Sequence, residues 1–173
     1  MSKKELASWG KSILIALGIA FVVRTFLFAP YIVEGSSMEP TLHDEEKMFV
    51  SRSVDLVRGD IVIIKGTKEN YVKRVIGFPG DKIEVKDDQL FINGKVFKEP
   101  YLSHNLKLAQ QQGSRLTEDF GPIIVPKNHY FVMGDNRLTS GDSRNDLGYI
   151  KEESIVGKTE FVFFPFTDFR LIK

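Results

Sequence analysis

The chain has 173 residues, a net charge of +1, 42 % hydrophobic residues and no cysteine. That length suits one modest domain plus an N-terminal segment. The composition excludes disulfides, thiolate catalysis and sulfur-ligated metals, and the interspersed charges leave no basic face for nucleic acid.

Lys3, Lys4 and Lys11 lead into an apolar run, Ser12 to Val23, which resumes after Arg24 and Thr25 as Phe26-Leu27-Phe28-Ala29. As a helix rising about 1.5 Å per residue, Ser12 to Ala29 spans ~27 Å, close to the hydrocarbon thickness of a bilayer. Arg24 lies near the outer end, where a long side chain snorkels to the headgroups; Trp9 suits the other interface, and Pro30 ends the helix. The lysines place the N-terminus in the cytoplasm. Three regions are therefore expected: residues 1–11 cytoplasmic, 12–29 a transmembrane helix, and 30–173 an extracytoplasmic domain of a single-pass membrane protein. A cleavable leader has the same charged start and apolar run. It also needs a small residue at the first position of Leu27-Phe28-Ala29, and Pro30 follows directly, so an uncleaved anchor is expected.

Beyond Pro30 short Val-, Ile- and aromatic-rich segments alternate with Gly, Pro, Asn and Asp. Tyr31–Glu34, Met48–Ser51, Asp60–Lys65, Tyr71–Ile76, Lys82–Lys86, Gln89–Ile92, Tyr130–Met133 and Val156–Phe164 read as strands. The continuous run Ile61-Val62-Ile63-Ile64 predicts a strand buried on both faces. Asn93-Gly94 marks a tight hairpin turn. Short helices are expected at Lys151–Ile155 and Leu106–Gln112, within a polar, Gln-rich stretch from Ser103 to Glu118 that reads as a mobile surface excursion. The expected class is mainly β, an antiparallel sandwich or barrel-like domain preceded by one transmembrane helix. Phe161-Val162-Phe163-Phe164-Pro165-Phe166 reads either as core strand or as an edge dipping into a membrane.

Two residues draw chemical attention. Ser37, in Gly35-Ser36-Ser37-Met38-Glu39-Pro40-Thr41, has small neighbours that allow a substrate backbone to approach and that expose its own N–H to a developing oxyanion. Such a serine is also an ordinary turn residue. Lys73, in Tyr71-Val72-Lys73-Arg74-Val75-Ile76, leaves its strand on the opposite side from Arg74, so a one-sided sheet exposes at most one of them. A lysine forced inward loses its proton, its pKa falling from ~10.4, and becomes a usable general base. The alternative is an edge-strand charge or half of a salt bridge. His43, six residues after Ser37, is a weaker base candidate because Asp44, Glu45 and Glu46 make its surroundings a solvated turn. With His104 and His129 it matches no metal-ligand spacing, so neither a metal nor a cofactor is expected.

The Ser-Met-x-Pro-Thr run at Ser37, the Lys-Arg-x-x-Gly-x-Pro-Gly-Asp run at Lys73–Asp81, Arg58-Gly59-Asp60, and Gly134-Asp135-Asn136-Arg137-Leu138-Thr139-Ser140-Gly141-Asp142-Ser143-Arg144 resemble the motifs of the bacterial type I signal peptidases, the Ser/Lys leader peptidases. The resemblance runs over nearly the whole chain. It implies a membrane-bound serine endopeptidase that removes N-terminal signal peptides, with Ser37 the nucleophile and Lys73 the general base. It further implies that Ser140 orients the lysine amine, that Asp142 and Arg144 brace the loop as an ion pair, and that Arg58-Gly59-Asp60 is structural. Tyr31, Val33 and Val72 match pocket-lining positions, and the implied substrates are secretory preproteins with small residues at the first and third positions before the cut. Some members carry a hydroxyl two residues before the nucleophile; Gly35 stands there, leaving the Ser37 N–H as the first oxyanion donor. A self-cleaving Ser/Lys protease of the repressor type and a catalytically silent, membrane-tethered binding module are the competing readings.

Overall fold

The computed structural model describes residues 8–18, 28–52 and 55–172. Residues 8–18 form an exposed helix, α1. The strands are β1 (Phe28–Ile32), β2 (Lys47–Ser51), β3 (Ile61–Lys65), β4 (Asn70–Gly77), β5 (Lys82–Lys86), β6 (Gln89–Ile92) and β7 (Lys95–Phe97), then β8 (Phe120–Ile124), β9 (His129–Met133), β10 (Ile150–Lys151), β11 (Ile155–Phe164) and β12 (Arg170–Leu171). A helix α2 (Ser103–Gln111) separates β7 from β8.

Every strand pairing is antiparallel, as expected. The domain is built from two unequal sheets. The larger has the order β1-β2-β11-β3-β4-β9-β10 with β12 on β11, and the smaller the order β7-β6-β5-β8. Their shared core joins Ile76, Phe131 and Met133 of the large sheet to Ile83, Val85, Leu90 and Ile92 of the small one. Gly77, beside a register shift in the β4–β9 pairing, lets the sheets meet, since a Cβ there would overlap Ile83.

The double-sided burial expected of Ile61-Val62-Ile63-Ile64 is observed. Ile61 and Ile63 enter one cluster with Val33, Met38 and Leu42, while Val62 and Ile64 enter another with Val75 and Val132. Asn93 and Gly94 have φ of +54° and +78° and close the β6–β7 hairpin, the left-handed pair that a two-residue type I′ turn requires.

Half of the predicted transmembrane span lies outside the described residues; its last two positions, and other expectations below, are corrected. Among the described residues no helix is long and apolar enough to cross a membrane. Of the predicted 12–29 span, residues 12–18 are helical, 19–27 lie outside the described residues, and Phe28 and Ala29 belong to β1. β2 pairs with Ala29 and Pro30 there, and the missing N–H of Pro30 is tolerated because β1 is an edge strand. Lys151–Ile155 contains only a single 3-10 turn, Glu152–Ser154, between β10 and β11. The stretch from Ser103 to Glu118 is not a loose excursion: Leu102, Ala109 and Leu116 bury together and dock α2. In the Phe161–Phe166 stretch, Phe161 and Phe163 pack on Phe49 at 5.1 and 4.5 Å and Val162 is fully buried, whereas Phe166 is 81 % exposed.

Candidate active site

Residues 33–46 form a loop between β1 and β2, and its apolar side chains set its shape. Met38 and Leu42 are buried under it. Its neck is closed by Val33 N–H donating to the Glu46 carbonyl (2.8 Å) and Glu45 N–H to the Val33 carbonyl (2.9 Å). From the far end of the chain, Arg170 holds both carboxylate oxygens of Glu46 (2.8 and 2.7 Å) and donates to the Thr41 carbonyl (2.6 Å). Burial raises the Glu46 pKa, but Arg170 and the His43 N–H outweigh it and hold the carboxyl below its usual range. Gly35 takes φ +83° and donates its N–H to Asp44 (2.8 Å), turning the chain so that Ser37 stands half-buried near the loop tip.

Lys73 arrives from β4. Its Nζ lies 2.7 Å from Ser37 Oγ, and the residue is 3 % exposed. Burial strips water from the ammonium and pushes its pKa down; the charge of Asp142 pulls it back up, and that of Arg144 pushes it down again. A hydroxyl at hydrogen-bond distance from an amine that favours its neutral form can pass its proton to it. His43, the weaker candidate base, is exposed at the other end of the loop.

The third segment follows β9. Gly134 sits against both Ser37 and Ser140, and a Cβ on it would overlap the Ser37 carbonyl oxygen and the Ser140 hydroxyl. Asn136 fixes the register, donating its N–H to the Ser37 carbonyl (3.0 Å) and its Nδ2 to the Ser36 carbonyl (3.2 Å). Asp142, fully buried, accepts from the Gly134 N–H (2.9 Å) and takes a two-pronged bond from Arg144, Nε to Oδ1 at 2.9 Å and an Nη to Oδ2 at 2.8 Å. Burial raises the Asp142 pKa, but these bonds and the Arg144 charge outweigh it and hold the carboxyl below its usual range. Ser140 lies buried in the same loop, and its Oγ has no hydrogen-bond partner among the described residues.

Tyr31, Val33 and Val72 fall in one apolar cluster, Val33 at its buried centre and the other two packed against it. Arg58 donates to the Ile76 carbonyl and to Asp81 (2.8 Å), locking the turn after β4. Among the described residues no group of three or more His, Asp and Glu side chains is arranged to hold a metal.

Several residues have roles that sequence reasoning did not assign. Arg74 grips Asp135 with Nε to Oδ1 at 2.8 Å and an Nη to Oδ2 at 2.6 Å, and Thr41 Oγ1 donates to the same carboxylate at 2.5 Å. Arg137 pairs with Glu99 and donates to the Gly134 carbonyl (3.0 Å). Arg74 and Asp135 stood within quoted motifs, yet nothing in their spacing showed that they meet. Glu99 carried no signal at all.

The family model described as signal peptidase, peptidase S26, matches residues 6–164. The chain is 54 % identical to a signal peptidase I of Bacillus amyloliquefaciens, over 99 % of this chain and 95 % of the relative. It is 59 % identical to signal peptidase I T of Bacillus subtilis (strain 168), over 95 % and 89 %. The crystal structure of a signal peptidase I from Enterococcus faecalis V583 superposes with a TM-score of 0.55 at 35 % identity, covering 60 % of this chain and 96 % of that one. With the family model spanning most of its length and relatives more than half identical across nearly all of it, the chain belongs to the type I signal peptidases of peptidase family S26.

Proposed function

We propose that this protein is a membrane-bound serine endopeptidase that removes N-terminal signal peptides from exported preproteins, with Ser37 as nucleophile and Lys73 as general base. The observation that carries this reading is the 2.7 Å approach of Ser37 Oγ to the buried Lys73 amine, whose proton affinity burial lowers.

Neutral Lys73 accepts the Ser37 hydroxyl proton as Oγ attacks the peptide carbonyl. The carbonyl oxygen becomes an oxyanion facing the Ser37 N–H, with no side-chain donor at Gly35. The C–N bond breaks, Lys73 returns the proton to the leaving amine, and an acyl-enzyme remains. Lys73 then takes a proton from water, the resulting hydroxide attacks the ester, and the C–Oγ bond breaks with the proton passing to Ser37. Ser140, buried in the loop that contacts Ser37 and with a hydroxyl that has no partner among the described residues, is suited to hold the lysine amine between these transfers. Asp142 and Arg144 keep that loop in place.

Small side chains before the cut would fit against Tyr31 and Val72, which pack on buried Val33 in one apolar cluster. The apolar segment that begins at residue 12 and ends before β1 is the anchor, the lysines at its start keep the N-terminus in the cytoplasm, and the β domain from β1 onward acts outside the membrane. Exposed Phe164, Phe166, Phe169 and Leu171 give the domain an apolar rim for a bilayer surface.

Purified protein in detergent, incubated with a preprotein, should release mature product. Ser37→Ala and Lys73→Ala should each reduce kcat/KM by roughly 10⁴–10⁶-fold, as removal of one member of a cooperating catalytic pair does. Variants that cleave as fast as the parent would sink the dyad.

A further inference from the structure

The stretch from Ser103 to Glu118 has no part in the mechanism above, yet it is tied to both loops that build the site. Asn105, in the first turns of α2, donates its Nδ2 to the Glu39 carbonyl (3.0 Å) and to the Asp135 carbonyl (3.1 Å). Glu39 follows Ser37 by two residues, and Asp135 follows Gly134 directly. One amide thus staples the helix across the seam between the nucleophile loop and the Gly134–Arg144 loop.

Between α2 and the two loops lies a groove of about 400 Å³. Glu39 and Pro40 border it on one side, Asn136 and Leu138 on another, and Asn105 and Leu108 on the helix side. Leu108 and Leu138 are 44 % and 60 % exposed, so two large apolar side chains stand in solvent at its walls. Asn136, which borders the groove, also donates to the Ser36 and Ser37 carbonyls, so one residue links the groove wall to the nucleophile backbone.

An endopeptidase has to grip its substrate on both sides of the bond it cuts. The Tyr31, Val33 and Val72 cluster enters the nucleophile loop at Val33, four residues before Ser37. The groove is bordered by Glu39 and Pro40, two and three residues after Ser37. We infer that this groove receives the first residues of the mature chain, those on the amine side of the cleaved bond. Leu108 and Leu138 contact an apolar side chain there, and Asn105 sets the position of the helical wall. The inference deepens the peptidase reading and rests on it.

The experiment uses two preproteins with the same signal peptide and the same residues up to the bond. One carries leucine and the other aspartate at the second and third positions after it. The parent should cleave the leucine form with kcat/KM about tenfold higher, the scale on which an apolar contact discriminates. In Leu108→Lys/Leu138→Lys that preference should vanish or reverse, because two cations now face the same segment. Both leucines are solvent-exposed, so neither replacement opens a hole in the core. A ratio that is the same in the parent and the double variant overturns the groove assignment while leaving the peptidase intact. Failure of the parent to cleave either preprotein removes the peptidase reading, and the groove assignment with it.

Discussion

Lys73 and Arg74 are consecutive cations on one strand, both almost fully buried, and their surroundings differ completely. Arg74 is matched at every turn: two bonds to Asp135, one to the Gly59 carbonyl at 2.6 Å, and the Tyr101 ring 3.9 Å from its guanidinium. Lys73 has a neutral hydroxyl at 2.7 Å, and the carboxylate that acts on it, Asp142, is already occupied by Arg144. A buried cation becomes tolerable either by pairing or by losing its proton. Arginine cannot deprotonate at accessible pH and therefore has to be paired, whereas lysine can. The side of β4 that carries arginine holds the loops together, and the side that carries lysine leaves its amine without a carboxylate of its own, the condition that the proposed general base requires.

The comparison breaks most visibly at Lys73 itself. Lys73→Arg should reduce kcat/KM by roughly 10⁴–10⁶-fold, as much as Lys73→Met, because a permanent cation cannot act as base. The two variants should part in thermal unfolding. Lys73→Met should melt at or above the parent Tm, since the cost of burying an amine is gone. Lys73→Arg should melt below it, as a buried guanidinium without a carboxylate. Equal Tm values in the two variants would refute the idea that this side of β4 rejects a fixed charge.

The Arg74 side sharpens the same contrast by stability. Arg74→Met leaves Asp135 fully buried with only the Thr41 hydroxyl among the partners described above, and should cost about 3–5 kcal/mol in denaturant unfolding. Arg74→Met with Asp135→Leu should recover most of that loss, because the orphaned charge is what destabilises. A single variant as stable as the parent would show the pair to be dispensable.

How much of this was legible in the sequence follows from the range of each interaction. Strand positions were readable because alternation and β-branched runs are local: Ile61–Ile64 and the Asn93-Gly94 hairpin needed no knowledge of their partners. β8 and β10 escaped because Phe120–Ile124 contains a Gly-Pro pair and Ile150–Lys151 is two residues long, so neither shows a period. The end of the predicted apolar helix failed for a related reason. Phe28 and Ala29 continue the apolar run, and only their pairing with Ser51 and Val50, some twenty residues on, makes them a strand. At the site, Ser37 and Lys73 could be named because the motifs they stand in resemble a family, but the burial of both β4 cations could not. Alternation predicts opposite faces; it does not reveal that a carboxylate 61 residues away covers one of them. Asn105 and Glu99 act through contacts that leave no local pattern.

Gly134 offers a smaller perturbation of the lysine side. Gly134→Ala places a methyl group against the Ser37 carbonyl and the Ser140 side chain. Overpacking of this kind costs about 1–3 kcal/mol, and here part of it falls on the geometry of the nucleophile. The expected outcome is a lower kcat with KM little changed. An unaltered kcat would show that the contact between the two loops does not set the position of Ser37.

The smallest expected effects, and the most specific, are on pH dependence. The Lys73 pKa lies below 10.5 because burial outweighs the pull of Asp142. The rate should therefore rise with pH through that lowered pKa, as neutral amine appears. Stability has the same sign: between the folded and unfolded pKa values the unfolded chain binds more protons, so stability increases with pH across that window, and Lys73→Met should remove this slope. Asp142 behaves differently, its stabilisation being present above 3.8 and lost as pH falls through its depressed folded pKa. Two substitutions separate their influence on the lysine. Asp142→Asn removes the charge that raises the Lys73 pKa and leaves that of Arg144, which lowers it, so the acid limb of the rate profile should move to lower pH. Arg144→Gln removes the lowering charge and leaves the raising one, so the limb should move to higher pH. Both variants loosen the loop and lose rate, which makes the position of the limb, and not its height, the quantity to read. Movement of both limbs in the same direction would mean that loop disorder, not the charge of the ion pair, governs the proton affinity of Lys73.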